Sequence, residues 1–455
     1  MKRFLFILLS FSVLASDAVA QDSVQFRRIS DEIMLHGKCY DNLRVLCKTI
    51  GHRISGSAAS LKAVEWGTKT LQDAGADTVW QQPVQVPYWV RGKESLKLIF
   101  PGSKTAVEVP MLSTGNAVGT DGKVLASDIV MAEDFDAFAK LSPAEVKGKI
   151  VFFNHHFPKE VINTFEAYGT AGAYRWDGAN VAAAKGAAAV IIRSISTGAD
   201  DVPHTGSLHY ADSIKPIPAV AIGNLSADRL AEQCMKGSVK AQLMTNCKMM
   251  GTRPSYNVIG ELKGSEHPEE IVVVGGHLDS WDVGEGAHDD GAGCVQSIEV
   301  LRTFKNLGMR PKRTLRVVLF MNEENGLKGG RAYADSASAR KEQHVLALES
   351  DAGGFSPRAI GLVMSDARKA YIRSYRQLFL PYGVYDFEQD ESGADISPLR
   401  KLGVPVAGLI PDPQRYFDYH HTPADVFEAV NHRELKLGAV AMAQFIYLVT
   451  EHGLQ

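Results

Sequence analysis

Residues Ile271 to Gly293 read IVVVGGHLDSWDVGEGAHDDGAG, an apolar run that breaks at two glycines into a loop holding two histidines and five acidic residues. The run predicts a strand buried on both faces, since a half-exposed strand would alternate apolar with polar residues. A helical segment, VQSIEVLRTFKNL (295–307), follows, and then a second apolar strand, TLRVVLFM (314–321). The alternation continues through GGRAYADSASARKEQ (329–343), VLALES (345–350) and VPVAGLIP (404–411). Apolar strands separated by helices predict an α/β fold: a mixed, largely parallel sheet flanked by helices.

Upstream the texture changes. LKAVEWGTKTLQDAG (61–75) spaces Leu61, Val64, Trp66 and Leu71 as a helix would and stops at Gly75. VQVPYWV (84–90) and ESLKLIF (94–100) alternate and are expected to form hairpin strands. From about 112 to 252, GKIVFFN, VAAAKGAAAVIIRS, IPAVAI and SADRLAEQC carry a strand–helix alternation of their own, which predicts an inserted domain. The expected organisation is a leader over 1–20, the first part of a catalytic domain over 21–111, the insertion over 112–252, and the metal-binding part over 253–455.

Lys2 and Arg3 precede an apolar run from Phe4 to Ala15, and Ala18-Val19-Ala20 precedes Gln21, the pattern of a signal peptide with an Ala-x-Ala cleavage site. The run is short for a membrane anchor, so a secreted or periplasmic protein without a membrane span is expected after cleavage. A formal net charge of −3 with no long basic run argues against a nucleic-acid partner. The five cysteines lack a C-x-x-C pattern; Cys234 with Cys247 is the first candidate for a disulfide and Cys39 with Cys47 the second. Cys294, at the head of an apolar helical run, reads as a small buried residue.

The ends of the apolar strands carry the chemistry. IVVVGG leads into His277 and Asp279, TLRVVLFMN into Glu323 and Glu324, VLALES into Asp351, and VPVAGLIPDPQRYFDY into His420 and His421. In open α/β sheets such residues converge beyond the carboxyl ends of the strands, so ligands distant in sequence can share one site. Carboxylates and imidazoles without thiolates suit zinc, with manganese or cobalt also compatible. Two metals about 3.5–4 Å apart need a bridging carboxylate, for which Asp289 and Asp290, among Gly286, Gly291 and Gly293, are the candidates.

The H-x-D, G-A-x-D-D, E-E, E-S-D and H-T motifs, in that order, with GHRISGS at 51–57, resemble the secreted co-catalytic zinc exopeptidases. That family includes bacterial leucyl aminopeptidases, glutamate carboxypeptidases and plasma glutamate carboxypeptidases. VPHTGSLHY (202–210), IPAVAIGNLSADRL (217–230) and ESGADISPLRKLGVPVAG (391–408) are most similar to the last group, and the insertion resembles a protease-associated domain. The resemblance implies two Zn2+ per chain: His277 and Asp351 on one, Glu324 and His421 on the other, with Asp289 bridging. It implies that Glu323 is the general base and that Asp279 accepts a hydrogen bond from His277, fixing its tautomer. It further implies a cis peptide bond between Asp289 and Asp290, and a homodimer. Tyr419 and His420 are the candidates for substrate contact. Asp282 and Glu285 read as loop and cap residues, His288 as a cleft-lining side chain, and HTGS (204–207) as a segment that either reaches over the site or forms a surface turn.

The function expected from these residues is a di-zinc metallo-exopeptidase acting on short peptides, dipeptides foremost. Alternatives are an aminopeptidase acting on longer peptides and a single-zinc glutaminyl cyclase. A binding protein that has lost catalysis is disfavoured by the intact Glu323–Glu324 pair.

Overall fold

A computed structural model describes residues 21–454, so the leader expected over 1–20 lies outside the described residues. The apolar run at 271 forms the strand His267–His277, flanked on both sides by parallel neighbours: Arg313–Phe320 and Gln343–Glu349. Val406–Pro411 adds to the latter in parallel, giving four parallel strands in the middle of a seven-stranded sheet. Its outer pairings are antiparallel, with Lys248–Leu262 and then Thr78–Val90 on one side and Pro357–Val363 on the other. The sheet is mixed, as expected, and its parallel strands point their carboxyl ends to one edge.

Helices cover both faces. Ala292–Asn306 and His432–His452 pack on one, where Ile298, Leu301, Phe304, Val440 and Ile446 join Val272, Val274 and Leu348 in the main core. Lys328–Arg340 packs on the other, placing Tyr333, Ala334 and Ala337 against Val273 and Phe320. The helix expected at 61–75 spans Ala58–Asp73; Ser57 caps its start by accepting from the Ser60 amide, and Gly75 follows its end at φ +90°.

The 84–100 hairpin does not form. Thr78–Val90 joins the central sheet, whereas Glu94–Ile99 belongs to a second sheet of eight strands. There it lies between Ala106–Val109 and Lys240–Thr245, antiparallel to both. The second sheet therefore opens at Glu94, ahead of residue 112, because the chain turns between sheets at Gly92 (φ +72°). The helix Thr164–Ala184 begins well before the small-residue run that predicted it, since Gly169, Gly172 and Gly178 dilute its apolar pattern.

Neither expected disulfide forms: all five cysteines are free. Cys234 packs on one face of the second sheet with Leu230 and Ile222, and Cys247 packs on the other with Trp89 and Ile192. A sheet separates the two thiols, so their nearness in sequence brings no contact. No helix among the described residues is long and apolar enough to cross a membrane.

Candidate metal centre

The four parallel strands release their loops at one edge, and there the acidic and imidazole side chains meet. His277 Nε2 lies 3.1 Å from Asp289 Oδ1 and 3.3 Å from Asp351 Oδ1. His421 Nε2 lies 3.2 Å from Asp289 Oδ2 and 3.2 Å from Glu324 Oε2. Asp289 thus offers one oxygen to each of two imidazole–carboxylate pairs. Its Oδ2 is buried and, despite the nearby ring, has no partner with hydrogen-bond geometry, so an acceptor is left aimed into the cluster.

Backbone contacts decide between the two aspartates. Asp290 lies close to His277 and Asp351, but backbone amides engage both its oxygens, Oδ2 accepting from the His277 amide at 2.9 Å and Oδ1 from the Gly293 amide at 2.8 Å. Gly276 leaves room for this carboxylate, which a Cβ there would strike. The Asp289–Asp290 peptide bond is cis. Asp425 braces the same turn, its oxygens accepting from the amides of His288 (2.7 Å) and Asp289 (3.1 Å).

Both imidazoles are oriented by peptide oxygens. His277 Nδ1 lies 3.0 Å from the carbonyl of Asp279, and His421 Nδ1 lies 3.3 Å from that of Thr205. A proton on each Nδ1 satisfies those carbonyls and leaves each Nε2 facing Asp289, free to give its lone pair to a cation or, without one, to carry a second proton toward the carboxylates. The expected role of the Asp279 carboxylate changes accordingly: it is 3.9 Å from the ring. Its Oδ1 instead accepts from the amides of Asn322 (2.6 Å) and Glu323 (3.1 Å), fixing the turn that presents both glutamates. Glu324 Oε1 is held by the Trp281 amide at 3.1 Å, which leaves Oε2 for His421.

The electrostatics favour a cation. Burial, reinforced by Asp289, holds the Glu324 carboxyl well above the usual range, and burial acts likewise on Asp351. Glu323 is pushed up to about 8 by burial and by the Asp351 and Asp289 charges, which outweigh the opposing effect of His277. For Asp289 burial is outweighed by His277 and His421, and its carboxyl sits well below the usual range. For His277 burial is outweighed by Asp351 and Asp289, and the ring holds a proton well above the usual imidazole range. Buried acids that must otherwise take up or share protons are the chemistry of a divalent-cation site.

His420 stacks on His421 with centroids 3.5 Å apart, but its Nε2 stays 3.9 Å from Asp289, and both histidines line a cleft of about 900 Å³. Tyr419 does not line that cleft: its ring lies against Phe355 and His288, and its hydroxyl accepts from Arg415 at 2.7 Å. On this helix the tyrosine that lines the cleft is Tyr416, one turn earlier. Asp282 pairs with Arg91 at 2.6 Å, and Glu285 pairs with Lys48 and accepts from the Phe427 amide. His288 is buried against Phe355, its Nδ1 accepting from the Gly354 amide at 3.1 Å.

The HTGS segment reaches the site. The Thr205 amide donates to the His421 carbonyl at 3.0 Å, and Ser207 Oγ donates to the Glu324 carbonyl at 2.7 Å. Arg53, within GHRISGS, is fully buried and donates to the carbonyls of Leu278, Glu285 and Gly286, tying down both ends of the acidic loop. Arg53, Asp425 and Thr205 act through non-local backbone contacts: GHRISGS and HTGS drew attention to the segments of the first and third, but no local pattern marked Asp425 or gave any of the three its partner.

The family model described as peptidase family M28 matches residues 257–446. Human carboxypeptidase Q is 34% identical over 415 residues, covering 91% of this chain and 85% of the relative. The crystal structure of a peptidase M28 precursor from Shewanella amazonensis SB2B is 33% identical, with a TM-score of 0.91 over 96% of this chain and 98% of that one. A zinc aminopeptidase from Bacillus subtilis, 22% identical, shares the fold with a TM-score of 0.66 over 92% of this chain and 96% of its own.

Proposed function

The chain belongs to peptidase family M28, and from that premise we propose that it is a secreted or periplasmic di-zinc exopeptidase hydrolysing short peptides, dipeptides foremost. The observation that carries the reading is Asp289, whose two oxygens stand 3.1 and 3.2 Å from the imidazoles of His277 and His421. His277 and Asp351 are assigned to one zinc, Glu324 and His421 to the other, and Asp289 to both. Thiolate-free imidazole and carboxylate donors, with open cleft on one side, fit a catalytic rather than a structural site. When bound, the zinc pair lowers the pKa of water and polarises the scissile carbonyl.

Glu323 lines the cleft beside these groups without contacting either imidazole, which suits a base more than a ligand. Its carboxylate takes a proton from the attacking water and returns it to the leaving amine. Asp279 positions that base through the Glu323 amide. His420 faces the substrate from the cleft wall. The second sheet, assigned as a protease-associated domain, walls the cleft with Tyr168, Arg175, Trp176 and Ser207, which supports a limit on substrate length. A homodimer remains part of the proposal and is read from light scattering of the purified protein.

The test is amine release from a series of free dipeptides to pentapeptides, before and after treatment with chelator. Hydrolysis should fall from dipeptide to pentapeptide, vanish with chelator and return with zinc. Chelator-resistant turnover refutes the metal reading, equal rates on pentapeptides refute the length limit, and full activity at one zinc per chain refutes the paired site.

A further inference from the structure

The cleft wall carries a large apolar side chain that the fold leaves uncovered. Four of the five tryptophans are buried or half-buried, whereas Trp176, on the helix Thr164–Ala184 of the second sheet, is 47% exposed and lines the cleft. Exposure alone would mean little, since apolar side chains are commonly exposed singly. This ring, however, is held in place. It lies at 23° to the imidazole of His209, with centroids 5.8 Å apart, and the His209 amide donates to the Trp176 carbonyl at 3.3 Å. Asn180, one turn further along the helix, ties down the same segment: its Nδ2 donates to the His209 carbonyl at 2.8 Å and its Oδ1 accepts from the Ala211 amide at 3.0 Å. The indole is a flat, fixed surface.

The loop after the paired glutamates supplies a second apolar group. Leu327 lines the cleft and adopts φ +52°, a conformation that strains a leucine but not a glycine. The strained backbone thus keeps an isobutyl group on the cleft wall three residues after Glu324. Ser207 Oγ donates to the Glu324 carbonyl and Asn116 Nδ2 to that of Asn325, so the segments bearing His209 and Leu327 flank the half of the centre that holds Glu324 and His421. The Asp351 half is walled instead by Ala352, Gly408, Leu409 and Ile410. Lys328 and Arg331 rim the Leu327 side; both are exposed, and among the described residues neither pairs with a carboxylate.

We propose that Trp176, His209 and Leu327 form a side-chain subsite for an aromatic residue of the substrate, at the position beside the Glu324–His421 half of the centre. This rests on the peptidase reading above. A ring offset over the indole gains stacking as well as burial, which an aliphatic chain does not. The cationic rim attracts the face of such a ring and repels lysine or arginine at the same position.

The test is a matrix of free dipeptides, X-Ala and Ala-X, with X phenylalanine, leucine, alanine, lysine or glutamate, hydrolysed by the wild type and by Trp176→Ala, Trp176→Phe and Leu327→Gly. In one of the two series the wild type should favour phenylalanine over alanine by on the order of 10- to 100-fold in kcat/KM, with lysine lowest. Trp176→Ala should remove that preference and leave the ranking in the other series unchanged, while Trp176→Phe should retain most of it. Leu327→Gly should weaken the preference yet melt no earlier than the wild type, because glycine takes φ +52° without strain. A side chain that only supports the fold would lower every substrate alike. Calorimetric binding of reduced-bond dipeptides, with CH2–NH in place of the amide and phenylalanine or alanine at either position, gives the same comparison without turnover. Absence of turnover on every peptide would refute the peptidase reading, while the binding preference and its loss in Trp176→Ala would still decide the subsite. Three results would overturn the proposal: no preference for phenylalanine in either series, glutamate favoured over phenylalanine in the series that Trp176→Ala alters, or equal losses in both series. Should Trp176→Ala melt early, the wild-type matrix and Leu327→Gly decide.

Discussion

Replacing Asp289 by asparagine keeps the shape of the side chain and removes its charge, which makes it the sharpest perturbation of the proposed metal pair. Asp289, Glu323, Glu324 and Asp351 supply four negative charges when ionised, matching two dications; asparagine leaves one positive charge unmatched in a buried site. At an effective dielectric of about 20 and a separation of about 4 Å, each doubly charged cation loses about 8 kcal/mol of attraction, or about a millionfold in affinity. Both zincs should weaken together, because the two oxygens face different imidazoles. Asp290→Asn is the matched control. Its carboxylate accepts from the amides of His277 and Gly293, so it should cost about 1–3 kcal/mol of stability with both metals retained. Zinc content by plasma emission, chelator-competition titration and thermal melting give the three readouts. Wild-type zinc affinity in Asp289→Asn, or zinc loss in a well-folded Asp290→Asn, would refute the assignment of the bridge.

Glu323→Gln should lower kcat by about 100- to 10,000-fold with zinc content unchanged, whereas Glu324→Gln should reduce zinc content as well; the reverse pattern in metal analysis would exchange the two roles. Alkylation in denaturant should add five adducts, one for each free cysteine. Under native conditions Cys234 should react first, being half-buried while the others are buried, and its rate should climb with pH because burial pushes its thiol up to about 11. Recovery of a disulfide-linked peptide would contradict this placement. Amino-terminal sequencing of the exported protein should begin at Gln21; an intact Met1 would refute the signal peptide.

The apolar strands and their ligand-bearing ends were legible because strand burial and strand–loop boundaries are local properties of a chain. Ile271–Val274 had to be buried on both faces, and a His or Glu just past such a strand had to emerge at the sheet edge. What the chain encodes only through distant contacts was not legible. The segments at 84–90 and 94–100 alternate alike, yet partners some 150 residues away draw them into different sheets. Cys234 and Cys247 are near in sequence but lie on opposite faces of a sheet. Motif order nominated Asp289 over Asp290, but that two backbone amides occupy the oxygens of Asp290 is seen only in the fold. The sequence by itself determined which donor types were available and at which strand ends. The tertiary structure decided which lone pairs point inward, which cations lack partners and which carbonyls fix the imidazoles, because a hydrogen bond about 3 Å long is set by the register of segments that meet only when the chain is folded.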